Sequence, residues 1–100
     1  YRSRLEILRD VLQVTGEKGT KKTHIMYGAN LSYRLLTQYL DDASNAGLIA
    51  CDVEFCYMIT KKGKTFLELY EDYEKKSKEV EKRLNHLKNG KETLEKMLTR

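Results

Sequence analysis

The last third of this chain carries one uninterrupted heptad pattern. Phe66, Tyr70, Tyr73, Ser77, Val80, Leu84, Leu87, Lys91, Leu94 and Leu98 follow one another at intervals of 4-3-4-3-4-3-4-3-4. Steps that alternate between three and four keep every member on one narrow face of an α-helix. A helix cannot bury so narrow a seam against itself, so a second copy of the same helix is the expected partner. The residues from Tyr70 to Leu98 in this series form the expected dimerisation seam. Its polar members, Ser77 and Lys91, suit positions that set register and orientation more than stability. The chain has no proline, so nothing obliges this helix to stop or kink. Asn89-Gly90 is a soft spot, since glycine costs about 1 kcal/mol inside a helix. The ten residues after it are too few for an independent helix, and one long helix is expected.

A different order precedes that helix. Leu5, Ile7, Leu8, Val11, Leu12 and Val14 recur at helical spacing behind Ser3, an N-cap residue. "TGEKGTKK" breaks the pattern with two glycines and no apolar residue. Thr20 or Thr23 is expected to cap a short second helix through Ala29, burying Ile25 with Met26 or Tyr27. Gly28-Ala29-Asn30 closes it, because Gly and Asn tolerate the left-handed backbone at a helix end. Ser32 then caps a third helix, with Leu31 as the apolar residue just outside the cap. On that helix Leu36, Tyr39, Leu40 and Ala43 share a face, Tyr33 and Leu35 lie at its margins, and Arg34, Gln38 and Asp41 fall opposite. Asn45-Ala46-Gly47 ends it. "LIACDVEFCYMIT" is rich in β-formers around a polar interruption and is expected to be a hairpin turning at residues 52–54.

Three helices and a hairpin, with a tight turn between the second and third helices, are the order of a winged helix-turn-helix. The expected fold class is mainly α with a β-hairpin (α+β). Residues 1–62 form the winged unit and residues 63–100 the dimerisation helix.

Several classes of function find no support in the sequence. No run approaches the roughly 18 apolar residues of a membrane span, and no secretion signal opens the chain. A cytoplasmic, nucleoid-associated location is expected. Cys51 and Cys56 are expected to be free thiols, and neither His24 nor His86 completes a zinc-ligand spacing. There is no glycine-rich phosphate loop and no nucleophile beside a plausible base, so no enzyme, cofactor, metal or small-molecule ligand is expected.

The formal charge of +4 and pI near 9.0 suit a polyanionic partner, but the excess is uneven. Through Thr60 there are seven Lys/Arg and seven Asp/Glu, and from Lys61 onward twelve against eight. In a helix-turn-helix, the first helix of the pair braces across the DNA backbone while the second presents its N-terminal, outward residues to the major groove. Arg34 and Gln38 lie one turn apart on that edge, and such side chains read guanine and adenine or bind phosphate. Ser32 and Tyr33 sit at the helix N-terminus, where backbone donors suit a phosphate. Thr37 lies beside them, while the Tyr33 ring is expected to be half-buried. Asp41 and Asp42 restrict any approach to the first half of the helix. The hairpin tip carries Asp52 and Glu54, so the grip on the DNA backbone is expected from Lys18, Lys21, Lys22, Lys61, Lys62 and Lys64.

"RLEILRDVLQV", "GTKKTHIMYGANLSYRLLTQYL", "AGLI" and "YMITKKGKTFLELYE", followed by the heptad helix, resemble the small archaeal winged-helix chromatin proteins. The resemblance covers nearly the whole chain, and "KKTHIMYGANLSY" is its most specific part. It implies dimerisation through an antiparallel coiled coil, with a winged head at each end of a rod, and binding to double-stranded DNA with little sequence preference. The related archaeal transcriptional regulators share the winged portion. Helix geometry adds a consequence of its own. A helix of about 38 residues is roughly 57 Å long, whereas successive half-sites on one face of a duplex lie about 34 Å apart. Antiparallel pairing would therefore favour bridging of two duplexes, or straddling of a longer stretch of one. A site-specific transcription regulator and a winged protein-interaction module are the competing readings.

Overall fold

The computed structural model describes residues 2–99. Among them are four helices and a small antiparallel sheet: α1 (Arg4–Thr15), β1 (Thr20–Lys21), α2 (Lys22–Gly28), α3 (Tyr33–Asn45), β2 (Ile49–Cys51), β3 (Cys56–Ile59) and α4 (Lys61–Leu98). The α+β class and the winged order expected from the sequence are both present. The chain divides into one compact unit ending at Tyr70 and a second starting at Glu71.

Local signals set the starts of α1 and α3. The Ser3 hydroxyl accepts from the Glu6 amide at 3.2 Å, and the Ser32 hydroxyl accepts from the Leu35 amide at 3.2 Å. Each satisfies one backbone donor that the first helical turn leaves unpaired. The start of α2 differs from expectation. Neither threonine caps it: Lys21 holds the N-cap position without a side-chain bond, and Thr20 lies in β1 with its hydroxyl donating to the Thr15 carbonyl at 2.6 Å.

The turn between α2 and α3 depends on Asn30, whose φ of 53° is left-handed. The Leu31 amide reaches back to the Met26 carbonyl at 3.0 Å. Gly28 has a different role from the one read in the sequence. It is helical, and a Cβ there would lie 2.6 Å from a Val14 methyl, so its lack of a side chain lets α2 approach α1.

The core joins α1, α2, α3 and the sheet through Val11, Leu12, Ile25, Ala29, Leu36, Leu40, Ala43, Leu48 and Ile49. Val11, Leu12, Ile25, Leu36, Leu40 and Ala43 are inward positions of the helical stripes, whereas Leu48 and Ile49 come from the entry to the hairpin. Tyr39 and Met26 pack against this cluster, whereas Tyr27 is 75% exposed. Thr15 is buried as well, and its hydroxyl donates to the Val11 carbonyl at 2.7 Å, which offsets the cost of removing that group from water.

The sheet has the strand order β1-β3-β2, with β3 central. Ile49 pairs with Ile59 and Cys51 with Tyr57 on one side, and Thr20 pairs with Tyr57 on the other. The hairpin loop occupies residues 52–55, one residue longer than expected. Its left-handed position falls on Phe55, at φ 59°, instead of a glycine. Asp52 takes over the role of turn residue: one carboxylate oxygen accepts from the Glu54 and Cys56 amides, each at 2.9 Å. Cys51 and Cys56 are free. Opposed residues share a face and neighbours alternate, so pairing Cys51 with Tyr57 places the two thiols on opposite faces of the sheet.

The first turns of α4 complete the compact unit. Thr60 caps the helix, its hydroxyl accepting from the Gly63 amide at 3.1 Å and donating to the Gly47 carbonyl at 2.6 Å. A Cβ on Gly63 would lie 2.2 Å from the Leu48 carbonyl oxygen, so that position demands glycine. Phe66 and Tyr70 stack with ring centroids 6.4 Å apart, and the Arg9 guanidinium sits 5.3 Å from the Tyr70 ring. In the second unit α4 continues to Leu98 without a break at Gly90. Its surface is laced by Glu71–Lys75, Asp72–Lys76 and Glu74–Lys78 ion pairs at i, i+4 spacing.

Candidate nucleic-acid interface

α3 buries Leu36, Leu40 and Ala43, which turns its opposite edge to solvent. Arg34 and Gln38 are exposed there and share an open surface depression with Ser32 and Leu35. Neither Arg34 nor Gln38 is tied into a hydrogen bond or ion pair among the described residues. Their donors are available to an incoming group at no internal cost. Thr37 is only partly exposed, and its hydroxyl already donates to the Tyr33 carbonyl at 2.8 Å.

Tyr33 departs from its expected half-buried setting. It is 65% exposed, and the Lys22 ammonium lies 4.0 Å from its ring centroid. This cation–π contact brings the start of α2 to the start of α3, so Lys22, Tyr33, Ser32 and Arg34 form one continuous polar edge. Lys21, exposed in β1, precedes it directly.

Tyr57, which sequence reasoning did not single out, belongs to the same neighbourhood. Burial, and next the nearby Cys51 thiol, push its hydroxyl pKa up from the ordinary tyrosine value, while the Lys22 charge pulls it back. The missing signal was β1: its two residues carry no periodicity, yet their pairing with β3 carries Lys21 and Lys22 to the hairpin.

The second basic group lies elsewhere. The Lys62 ammonium donates to the Ala46 carbonyl at 2.6 Å, where it satisfies the carboxyl end of α3. Lys64 is paired with Glu17, and this contact holds the Glu17 carboxyl below its usual pKa. Lys61 and Lys18 are exposed. Thus Lys62 sits at one end of α3 and Ser32 at the other, about 20 Å apart for a helix of this length. The structure gathers Lys21, Lys22, Ser32, Tyr33, Arg34 and Gln38, but it does not bring Lys61 and Lys62 to them.

A further basic residue acts from the N-terminus. Arg2 donates to the Ala29 carbonyl at 2.8 Å and the Asn30 carbonyl at 3.0 Å, and it pairs with Asp10 at 2.9 Å. It clamps the turn that sets α3 against α2. An isolated arginine with no periodic neighbours gave no sign of this in the sequence.

Among the described residues, no group of His, Cys, Asp and Glu could hold a metal ion, and no helix is long and apolar enough to cross a membrane.

A helical pair with a tight turn, a capped and outward-facing second helix and a three-stranded wing define a winged helix-turn-helix. The chain belongs to that family, whose model matches residues 1–78. The crystal structure of Sso10a-2, a DNA-binding protein from Sulfolobus solfataricus, is similar with a TM-score of 0.76 at 25% identity, covering 88% of this chain and 95% of that one. Protein MJ0287 of Methanocaldococcus jannaschii is 33% identical over 73 residues, 73% of this chain and 75% of that relative. These likenesses agree with the resemblance read from the sequence.

Proposed function

We propose that the protein is a homodimeric, architectural DNA-binding protein associated with the nucleoid. It grips duplex DNA with little sequence preference and joins separate duplexes. Residues 1–62 bind DNA and residues 63–100 dimerise, with the first turns of α4 also completing the head. The observation that carries this reading is the uncommitted Arg34–Gln38 edge beside the Lys22–Tyr33 pair, at the N-terminal half of a helix whose other face is core. The likeness to Sso10a-2, described as a DNA-binding protein, supports the same partner.

Ser32, Tyr33 and Thr37 flank the contact, and Lys21 and Lys22 supply phosphate charge. Lys61 and Lys62 lie at the far end of α3 and serve as outer contacts. The α4 seam supports dimerisation: Val80 is 55%, Leu84 60%, Leu87 73% and Leu94 66% exposed in the single chain, an apolar stripe that water penalises.

A gel-shift series with unrelated duplexes at low and physiological salt tests the proposal. Comparable affinities for all sequences, falling steeply with salt, are expected. One sequence bound about a thousandfold more tightly than the others would instead indicate a site-specific regulator. The equal count of basic and acidic residues through Thr60 favours the other alternative, a protein-interaction module. Absence of any shift at low salt would select it.

A further inference from the structure

The whole positive excess of the chain sits in one stretch of α4. Between Lys82 and Lys91 there are Lys82, Arg83, Lys88 and Lys91 and no Asp or Glu. Of the nineteen Lys/Arg in the chain, these four are the entire surplus over its fifteen Asp/Glu. The earlier part of the same helix is built differently. There Glu71, Asp72 and Glu74 pair with Lys75, Lys76 and Lys78, the usual way in which a solvated helix balances its surface. Every residue from Lys82 to Lys91 is exposed, and Lys82, Arg83 and Lys88 enter no ion pair among the described residues. Lys78 and Lys82, four apart, and Lys88 and Lys91, three apart, repel one another on the free helix. A polyanion would relieve that cost.

Helix periodicity gathers these groups. At about 100° per residue, Lys82, Asn85, His86 and Asn89 share the side of α4 opposite Leu84 and Leu87, with Arg83 and Lys88 on its two flanks. Lys91 belongs to the seam. Burial of the seam in a dimer, whichever way the helices run, therefore leaves this outer face in water. We propose that the face from Lys82 to Asn89 is a second site for duplex DNA, which it grips by the phosphates. The site shares its partner with the proposed function and uses none of the α3 residues.

The chemistry suits a nucleic-acid backbone. Lys82, Arg83 and Lys88 can each neutralise a phosphate and release its counterion, and the Asn85 and Asn89 side-chain amides can donate to phosphate oxygens. From Lys82 to Asn89 the helix rises about 10.5 Å, the axial span of roughly three phosphates on one strand, which matches the three charges. No Tyr or Phe lies between Lys82 and Lys91 to stack on bases, so the grip carries no sequence preference. The head has equal numbers of basic and acidic residues through Thr60, and this face supplies the charge that the head lacks.

A charge-matched comparison tests the site. Affinity of the full chain for a labelled random-sequence duplex is measured over a salt series for wild type, Lys82→Gln/Arg83→Gln/Lys88→Gln and the control Lys75→Gln/Lys76→Gln/Lys78→Gln. Circular dichroism and sedimentation check that helix content and self-association are retained. The first variant should bind about tenfold more weakly at low salt, with a log–log salt slope shallower by about two to three per protomer. The control, whose lysines are already paired, should keep the wild-type slope. An unchanged slope in the first variant, or equal losses in both, would overturn the proposal. Duplex should also protect Lys82 and Lys88 from acetylation, read by mass spectrometry, while Lys75 stays reactive. Protection by phosphatidylglycerol vesicles and not by duplex would overturn it in favour of a membrane surface. At duplex concentrations that saturate Arg34→Ala/Gln38→Ala, protection of Lys82 and Lys88 should persist, so failure of the α3 contact and failure of this one are read separately. A wild type that binds no duplex at low salt would refute both.

Discussion

Gly63 and Gly90 occupy the same helix under opposite constraints. A methyl group on Gly63 would meet the Leu48 carbonyl oxygen, whereas nothing lies within 4 Å of one on Gly90. Gly63→Ala should therefore cost about 1–3 kcal/mol through overpacking, and Gly90→Ala should gain about 0.5–1 kcal/mol from helix propensity. Urea unfolding at fixed protein concentration checks both. Asp52 is a third test at this scale. Its carboxylate holds two amides of a loop with a non-glycine left-handed residue, so Asp52→Ala should lose about 1 kcal/mol and loosen the hairpin, visible as faster amide exchange at Glu54 and Cys56.

The elements show which parts of the architecture the sequence made legible. Ser3 and Ser32 announced α1 and α3 because a cap bonds three residues ahead, within the reach of local pattern. Leu36, Leu40 and Ala43 announced the buried face for the same reason, and the exposure of Arg34 and Gln38 followed from it. β1 was illegible because two residues have no period and their partner strand is remote. The commitments of Lys62 to the Ala46 carbonyl and of Lys64 to the Glu17 carboxylate were hidden in the same way: charge is visible in a sequence, but its engagement by a distant chain segment is not. The wing can be tested as an element. Its tip is acidic, so Glu54→Lys should strengthen binding to unrelated duplexes and steepen the salt dependence by about one phosphate contact, read from affinities over a salt series.

At the scale of the whole molecule, a head with as many acidic as basic residues through Thr60 has little long-range attraction for a polyanion. In the proposed dimer, two heads would compensate by making the second contact intramolecular. Leu84→Lys combined with Leu87→Lys removes the centre of the proposed seam while leaving the unit that ends at Tyr70 untouched. This variant should sediment as a folded monomer, and force microscopy should show loss of the loops and duplex crossings expected of wild type.

In the proposed complex the outward edge of α3 meets the duplex. Fluorescence anisotropy of a labelled random-sequence duplex, titrated at one low salt concentration with wild type and with the Arg34→Ala/Gln38→Ala variant, tests it most directly. Loss of these contacts should weaken binding at least about tenfold, as expected for groups worth roughly 1–3 kcal/mol each. An unchanged affinity in a variant that remains folded would contradict it.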